Sequence, residues 1–247
     1  FYWMVLTSVK SYGAYNSEYI PKFFTLSPTL ENYKEAFTAV PLAKYFMNTL
    51  IFTLVTTAIM LVVITLATFA FARLEFKGKD TLFVLLLATM MIPGELFTIT
   101  NFSTVISFDW LNTYTVLIVP FLVSVFYIYL LRQNFLQIPN ELYLAAKVDG
   151  TSKFRMFTKI TLPMISPTLF YLIITGFIGA FKAYSDAVAL FGVDLNAAEM
   201  NTIVGYIYDM LYGNSGGYPS YASAAAIILF AIVLTITCIN LLVSKKH

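Results

Sequence analysis

The feature that most constrains this sequence is a set of long apolar runs without charge. Residues 45–72 contain no Asp, Glu, Lys or Arg, and the same holds for residues 112–131, 160–181 and 221–243. A further run, residues 81–106, is broken only at Pro93-Gly94-Glu95. A bilayer core about 30 Å thick needs about 20 mostly apolar residues in a helix, so each run predicts a membrane span.

Composition supports this interpretation. The chain is 59% hydrophobic and 11% charged, whereas a typical soluble domain is about 25% charged. Residues 1–9 are also apolar, and we interpret them as the end of a first span whose beginning is missing. We therefore predict an all-α polytopic membrane protein with six transmembrane helices, the first truncated, in one domain that covers residues 1–247.

Lysine and arginine predict the orientation. Basic residues occur in segments 73–80 and 132–159 and in the tail at 245–246, but segments 107–111 and 191–220 have none. The alternation fits six spans with the basic segments and the C-terminus in the cytoplasm, which predicts a bacterial cytoplasmic membrane protein. Segment 10–44 departs from the pattern, since it has four Lys on the outer side, but it is long and also carries Glu18, Glu31 and Glu35.

The polar stretch 139–163 predicts a helix, a sharp turn and a second helix. Residues 141–148 favour a helix, Gly150 can adopt the left-handed conformation at its end, and Thr151 and Ser152 offer an N-cap for the next helix. We expect Pro163 to end that second helix. From the residues alone, the apolar face could dock into a groove on a partner, or the basic helix could lie on anionic lipid headgroups.

Several short motifs, in order along the chain, resemble those of ATP-binding-cassette importer permeases of the carbohydrate-uptake branch. They are Ser8-Val9-Lys10, Thr29-Leu30-Glu31-Asn32-Tyr33, Asn48-Thr49, Phe76-Lys77-Gly78, Ile92-Pro93-Gly94-Glu95, Leu111-Asn112-Thr113-Tyr114, Ile138-Pro139 and Ala145-Ala146-x-x-Asp149-Gly150. The stretch at 132–165 resembles the family's cytoplasmic "EAA" coupling loop. The early motifs resemble the MalG-like subunit more than its heterodimer partner.

The resemblance implies a division of labour among subunits. It implies a second homologous permease, two ABC ATPase subunits docked on the loops, an extracytoplasmic substrate-binding protein and no nucleic acid. ATP and Mg would be bound by the ATPases, and this chain would hold no cofactor. It has no G-x-x-x-x-G-K-[ST] phosphate loop, so we predict a non-catalytic subunit that moves a sugar or sugar derivative by alternating access. The resemblance places the ATPase contact at Glu141, Leu144, Ala145, Ala146, Asp149, Gly150, Phe154 and Phe157.

One position departs from the family pattern. The loop usually begins Glu-Ala-Ala, but Leu144 stands where the glutamate is expected. Glu141 lies nearly one helical turn earlier and could substitute, or the docking surface could be more apolar. We favour the apolar surface.

Ionisable groups within the spans are candidates for the substrate pathway, because charge in a membrane helix is costly. Lys182 and Asp186 are four residues apart and could pair, or Lys182 could face a cavity and favour an anionic substrate such as a sugar acid or glycerol phosphate. Glu95 follows a Pro-Gly break, which fits either a kink or a cavity wall. Phe181, Tyr184 and Tyr206 are candidate rings for stacking on sugar.

A different class of function also fits part of the sequence. A self-sufficient secondary transporter or channel could use Lys182 and Asp186 as an ion relay. Such a carrier has no need of the helix–turn–helix at 139–163. The single Cys238 and the single His247 argue against a disulfide framework, a metal cluster or histidine catalysis.

Overall fold

The computed structural model describes residues 1–18, 20, 22–38, 41–111, 113–181, 201–212 and 217–244, and these are helical with connecting turns. The segments before the first long helix are short: α1 (Tyr2–Ser8), α2 (Tyr12–Ser17) and α3 (Glu31–Thr38). The longest helix, α4 (Leu42–Arg73), agrees with the run predicted at 45–72. It is long and apolar enough to cross a membrane.

The run at 81–106 is broken, as the Pro-Gly pair predicts. It forms α5 (Lys79–Ala88), two three-residue-per-turn helices at Thr89–Met91 and Gly94–Phe97, and α6 (Thr98–Ser107). Pro93 lies between the two short turns, because proline lacks the N–H that a continuous helix would need. The predicted break at Pro93-Gly94 is confirmed, but among the described helices none in this run is long enough to cross a membrane by itself.

The next run contains a bend that the sequence analysis did not predict. Helix α7 (Tyr114–Ile118) passes through a short turn at Val119–Phe121, and α8 (Val125–Gln137) continues at an angle of 43°. Pro120 lies in the turn, and the Ser124 hydroxyl caps α8 by accepting a hydrogen bond from the Tyr127 N–H at 3.4 Å. Taken together, the two helices make a fourth candidate span.

The remaining helices are α9 (Asn140–Val148), α10 (Lys153–Met156), α11 (Leu162–Phe181), α12 (Ile203–Tyr212) and α13 (Pro219–Ser244). A π-helical turn at Phe157–Thr161 joins α10 to α11, so residues 153–181 form one apolar helix. The prediction that Pro163 ends this helix is wrong. The wider turn hydrogen-bonds five residues apart, and it absorbs a proline that would disrupt regular α-helix geometry.

The helices pack around the inner face of α4. Helices α8 and α11 lie against α4, and α13 packs against α1, α3 and α12. One apolar core joins α4, α8 and α11 through residues such as Ile64, Leu131, Phe135, Ile165 and Leu172. A second core near the start of α4 contains Ala36, Leu42, Tyr206 and Ala225.

Different segments of the chain contact the two ends of α4. Near its N-terminal end, the Asn48 side chain donates to the Asn201 carbonyl at 3.2 Å and Tyr114 donates to Asn48 at 3.4 Å. At its C-terminal end, Arg73 contacts residues 135–143. The basic segments 73–80 and 132–159 therefore share one end, as an alternating topology requires.

Candidate functional site: a helix–turn–helix and an intramembrane cleft

The turn between α9 and α10 is set by Gly150. Gly150 has φ +68°, which is the left-handed region that favours glycine. The Thr151 N–H donates to the Ala146 carbonyl at 2.9 Å and the Gly150 N–H to the Lys147 carbonyl at 3.1 Å, which is the Schellman pattern at a helix end. The Ser152 hydroxyl then caps α10 by accepting from the Arg155 N–H at 3.3 Å. The predicted helix–turn–helix is confirmed.

Arg73, at the end of α4, links the helix–turn–helix to α4 and α8. Its guanidinium donates to the Phe135 carbonyl and the Asn140 side chain at 2.8 Å each, and to the Ile138 carbonyl at 3.2 Å. The same group lies 4.4 Å above the ring centre of Tyr143. Since the fork also satisfies carbonyls at the end of α8, one side chain joins α4, α8 and α9.

Tyr143 provides a second attachment. Its hydroxyl lies 2.6 Å from the Thr161 Oγ1, in the π-helical turn that leads into α11. Thr161 is buried. Sequence reasoning missed Arg73, Tyr143 and Thr161 as positioning residues; Arg73 counted only toward orientation, although its place at the end of an apolar run was a signal.

The outer face of the helix–turn–helix is apolar and unpartnered within the described chain. Leu142, Leu144, Val148 and Phe154 are 42%, 62%, 87% and 77% exposed. Glu141, Ala145, Asp149 and Gly150 are exposed as well, and Phe157 is half-buried.

Ala146 lies apart from its neighbours on this face. It is 8% exposed and packs toward the chain itself. The surface that α9 presents is therefore formed around Leu144 and Ala145, without Ala146.

A second feature is a cleft of about 270 Å³ between the middle of α4, the bend before α8 and the second half of α11. Its described lining is uncharged, with five hydroxyl-bearing residues and three aromatic rings. They are Thr56, Thr57, Ser124, Tyr127 and Thr175, with Phe52 and Phe121 adding to the tyrosine ring.

The predicted pathway residues lie elsewhere or outside the described residues. Phe181 is 2% exposed and lies between α11 and α13, beside Val233 and Ile236. Tyr206 is equally buried, in the core near the start of α4. The backbone of Glu95 lies in the turn Gly94–Phe97, but its side chain, and all of Lys182, Tyr184 and Asp186, lie outside the described residues.

Motifs near the N-terminus meet in a polar network. The Asn32 side chain donates to the Ser8 and Lys10 carbonyls at 2.8 and 2.7 Å, and Ser8 and Tyr33 share a hydrogen bond of 2.8 Å. Lys10 is buried and lies 2.5 Å from Glu18, and this ammonium lowers the pKa of the Glu18 carboxyl.

The described residues thus form a helical membrane chain with a capped helix–turn–helix at one end. The chain belongs to the family described as binding-protein-dependent transport system inner membrane component, whose model matches residues 64–246. It is therefore a membrane subunit of an ABC-type importer system and not an enzyme in its own right.

Relatives cover most of the chain. The diacetylchitobiose uptake system permease protein DasC of Streptomyces coelicolor is 30% identical over 97% of this chain and 85% of its own length. The trehalose/maltose transport system permease protein MalG of Thermococcus litoralis is 28% identical over 96% and 84%. The arabinooligosaccharides transport system permease protein AraQ of Halalkalibacterium halodurans is 29% identical over 76% and 70%.

A solved structure shares the fold. A chain of a bacterial ABC transporter involved in the import of the acidic polysaccharide alginate superposes with a TM-score of 0.78. It covers 100% of this chain and 89% of its own length at 19% identity. At that identity the likeness concerns the fold.

Proposed function

We propose that this chain is a sugar-importer permease subunit that is driven by separate ATPase subunits through α9 and α10. The observation that carries the proposal is the exposed apolar face around Leu144, held on a base fixed by Arg73 and Tyr143. An apolar helix face suits a groove on a partner protein. Named relatives that transport oligosaccharides support the sugar class.

The apolar face has a charged rim. Lys147, Lys153 and Arg155 are exposed around it, and so are Glu141 and Asp149. A complementary ATPase groove is therefore apolar in the middle with charged residues of both signs at its edge. With Leu144 at the centre, docking does not depend on a carboxylate at that position. The basic segments, including this unit, face the cytoplasm, where ATP is available.

The mechanism we infer is alternating access. ATP binding brings the ATPases together, the docked α9–α10 unit moves with them, and the helices attached to it change their packing. Such a change requires that the ATPases bind the two conformations of the permease with different free energies. A binding protein outside and a second permease complete the pathway.

The test is ATPase retention by Leu144→Asp in the complete complex. Burying an exposed leucine contributes about 1.5–3 kcal/mol, so its loss should weaken ATPase binding by about tenfold to a hundredfold. ATPase is measured as co-purified subunit and as binding-protein-stimulated hydrolysis in nanodiscs. Leu74→Asp is the matched control, because Leu74 is 47% exposed at the same end but outside α9 and α10. Equal retention in both variants refutes the docking assignment.

A further inference from the structure

The cleft between α4, α8 and α11 lies where regular helix packing fails. The 43° bend at residues 119–124 moves α8 away from the preceding helix, and Pro120, Phe121 and Ser124 line the gap. Irregular backbone at membrane depth is tolerated where it lines a cavity or is buried in protein. The cleft is therefore part of the fold and persists as long as the bend does.

Two buried hydroxyls at the cleft have no partner. The Oγ1 atoms of Thr56 and Thr57 are buried and make no hydrogen bond in the described chain, whereas Thr49 in the same helix donates to the Tyr45 carbonyl at 2.8 Å. An unsatisfied buried hydroxyl costs about 1–3 kcal/mol. Threonine populates two χ1 rotamers in a helix, so a 120° rotation can bring either hydroxyl to a position from which it bonds an occupant of the cleft.

Two glycines, Gly176 and Gly179, form part of the α11 side of the cleft. A Cβ at Gly176 would lie 2.9 Å from the Met60 Cε and 3.5 Å from the Thr57 Cγ2, so α11 lies close to α4 here and a larger residue would require the Met60 side chain to shift. One turn later, a Cβ at Gly179 would meet nothing within 4 Å. The wall is closed at Gly176 and open at Gly179, which leaves space beside the hydroxyl groups for a flat ring.

We propose that this cleft is a contact site of this chain for one ring of a neutral sugar as the substrate crosses the membrane; the inference rests on the proposed function. Hydroxyl groups match the sugar's own hydroxyls, and the rings of Phe52, Phe121 and Tyr127 match its apolar face. The volume of about 270 Å³ is close to the lower limit of about 300 Å³ for small-molecule pockets, which fits one ring better than a whole oligosaccharide.

An anionic sugar fits the cleft less well. The described lining holds no Lys, Arg or His. The N-terminal end of α8 is the one positive dipole there, and it contributes up to about 2 kcal/mol for an anion. Desolvating a carboxylate or phosphate costs several kcal/mol, so the dipole alone does not compensate.

The test is labelling of introduced cysteines after the native Cys238 has been replaced. In a Cys238→Ser background, Gly179→Cys places a thiol in the cleft and Ser107→Cys places one at the exposed end of α6, away from the cleft. The complete complex in nanodiscs is treated with N-ethylmaleimide, with and without maltose, diacetylchitobiose and arabinotriose, and with glucuronate and glycerol 3-phosphate as anions. A neutral sugar at ten times its Kd should slow labelling at position 179 about tenfold and leave labelling at position 107 unchanged.

Hydroxyl removal gives the second measurement. Thr57→Val in the Gly179→Cys reporter should raise the sugar concentration for half-protection about fivefold, the equivalent of one hydrogen bond. Thr65→Val on the same helix, outside the cleft, should not change it. Labelling that no sugar affects, as expected for a lipid-filled cleft, overturns the proposal, and so does stronger protection by the anions. ATP-driven uptake by the wild-type complex is measured in parallel, so loss of the importer function is distinguished from failure of the cleft assignment.

Discussion

Arg73→Lys should loosen α9 without removing the positive charge that orients the membrane spans. The guanidinium of Arg73 makes three hydrogen bonds, to Phe135, Ile138 and Asn140, and covers the ring of Tyr143. Lysine is a compact point charge without a planar fork. We expect it to replace one of the three bonds.

The size of the effect follows from the two bonds that are lost. Each hydrogen bond to a charged group contributes about 1.5–3 kcal/mol, which sets an upper limit of about 3–6 kcal/mol. Arg73 is half-buried, so water replaces part of this, and we expect the free energy of local opening of α9 to fall by about 2–3 kcal/mol. Since about 1.4 kcal/mol corresponds to a factor of ten, amide exchange in α9 should accelerate about thirtyfold to a hundredfold.

Hydrogen exchange of peptides that cover residues 140–150 measures this directly in the purified complex. The matched control is Arg155→Lys, because the Arg155 guanidinium has no hydrogen bond within the described part of the chain. Peptides from the middle of α4 should exchange as in the wild type in both variants. If Arg73→Lys accelerates exchange in α9 less than threefold, the guanidinium does not hold this helix and the reasoning fails.

Three further outcomes are expected. Tyr143→Phe, which removes the bond to Thr161, should raise the ATP hydrolysed per sugar transported while ATPase subunits remain bound, and an unchanged ratio contradicts a positioning role. Gly150→Ala should cost about 1–2 kcal/mol at its positive φ, seen as a lower thermal midpoint than for Gly13→Ala, whose φ is ordinary. Because the pKa of Glu18 is lowered, its pair with Lys10 stabilises the fold above the usual Glu pKa near 4.5, and this stabilisation is lost as pH falls through the lowered pKa. Glu18→Gln should therefore make the thermal midpoint less dependent on pH between about pH 6 and about pH 3. The same pH dependence in the variant and the wild type contradicts the pairing.

The helices that the sequence predicted best are those whose signals are local. The ends of α4 were predicted within three residues, because an uncharged run has visible ends. The turn at Gly150 and the cap at Ser152 were predicted from residue chemistry alone. Such signals need no knowledge of what packs nearby.

The errors concern effects that depend on packing between distant segments. Pro163 does not end its helix, because it follows a π-helical turn that continues into α11. Within α11, Pro167 has no N–H to donate to the Pro163 carbonyl, and the Ser166 hydroxyl donates to that carbonyl at 2.8 Å instead. The bend at Pro120 was missed because a charge-free run with one proline fits either a straight or a bent span. The role of Arg73 depends on acceptors more than sixty residues away, which a local pattern does not reveal.

The inward face of α4 was also not visible in the sequence. Thr49, Thr53, Thr56, Thr57 and Thr68 are all buried, while many larger apolar residues of the same helix, such as Leu54, Val62 and Leu66, are exposed. In a membrane span, small and polar residues favour helix–helix interfaces, because lipid solvates large apolar side chains as well as protein does. Hydropathy predicts which residues span the membrane, but it does not predict which face of the helix packs against the other helices.

Helices α8 and α11 both connect the α9–α10 unit with the cleft. The position at which each helix contacts α4 determines how much of a movement of that unit reaches the cleft. Helix α11 packs on α4 through the core at Ile165 and Leu172 and again at Gly176, which lies about 22 Å from Thr161 at 1.5 Å per residue. Gly179 lies only about 4.5 Å beyond that contact. If the contact at Gly176 acts as a pivot, a movement at Thr161 reaches Gly179 reduced to about one fifth.

Helix α8 has the more favourable proportions. It leads directly into α9 and packs on α4 near Ile128, where Thr68 donates to the Ile128 carbonyl at 3.4 Å. Gln137 lies about 14 Å from this contact and Ser124 about 6 Å on the other side, so about two fifths of a movement at Gln137 reaches the cleft, twice the share that α11 delivers. If Ile128 and Gly176 are the pivots, then under the proposed function the bend at Ser124 is where ATP-driven movement of α9 changes the cleft most, and α11 is the wall against which it moves.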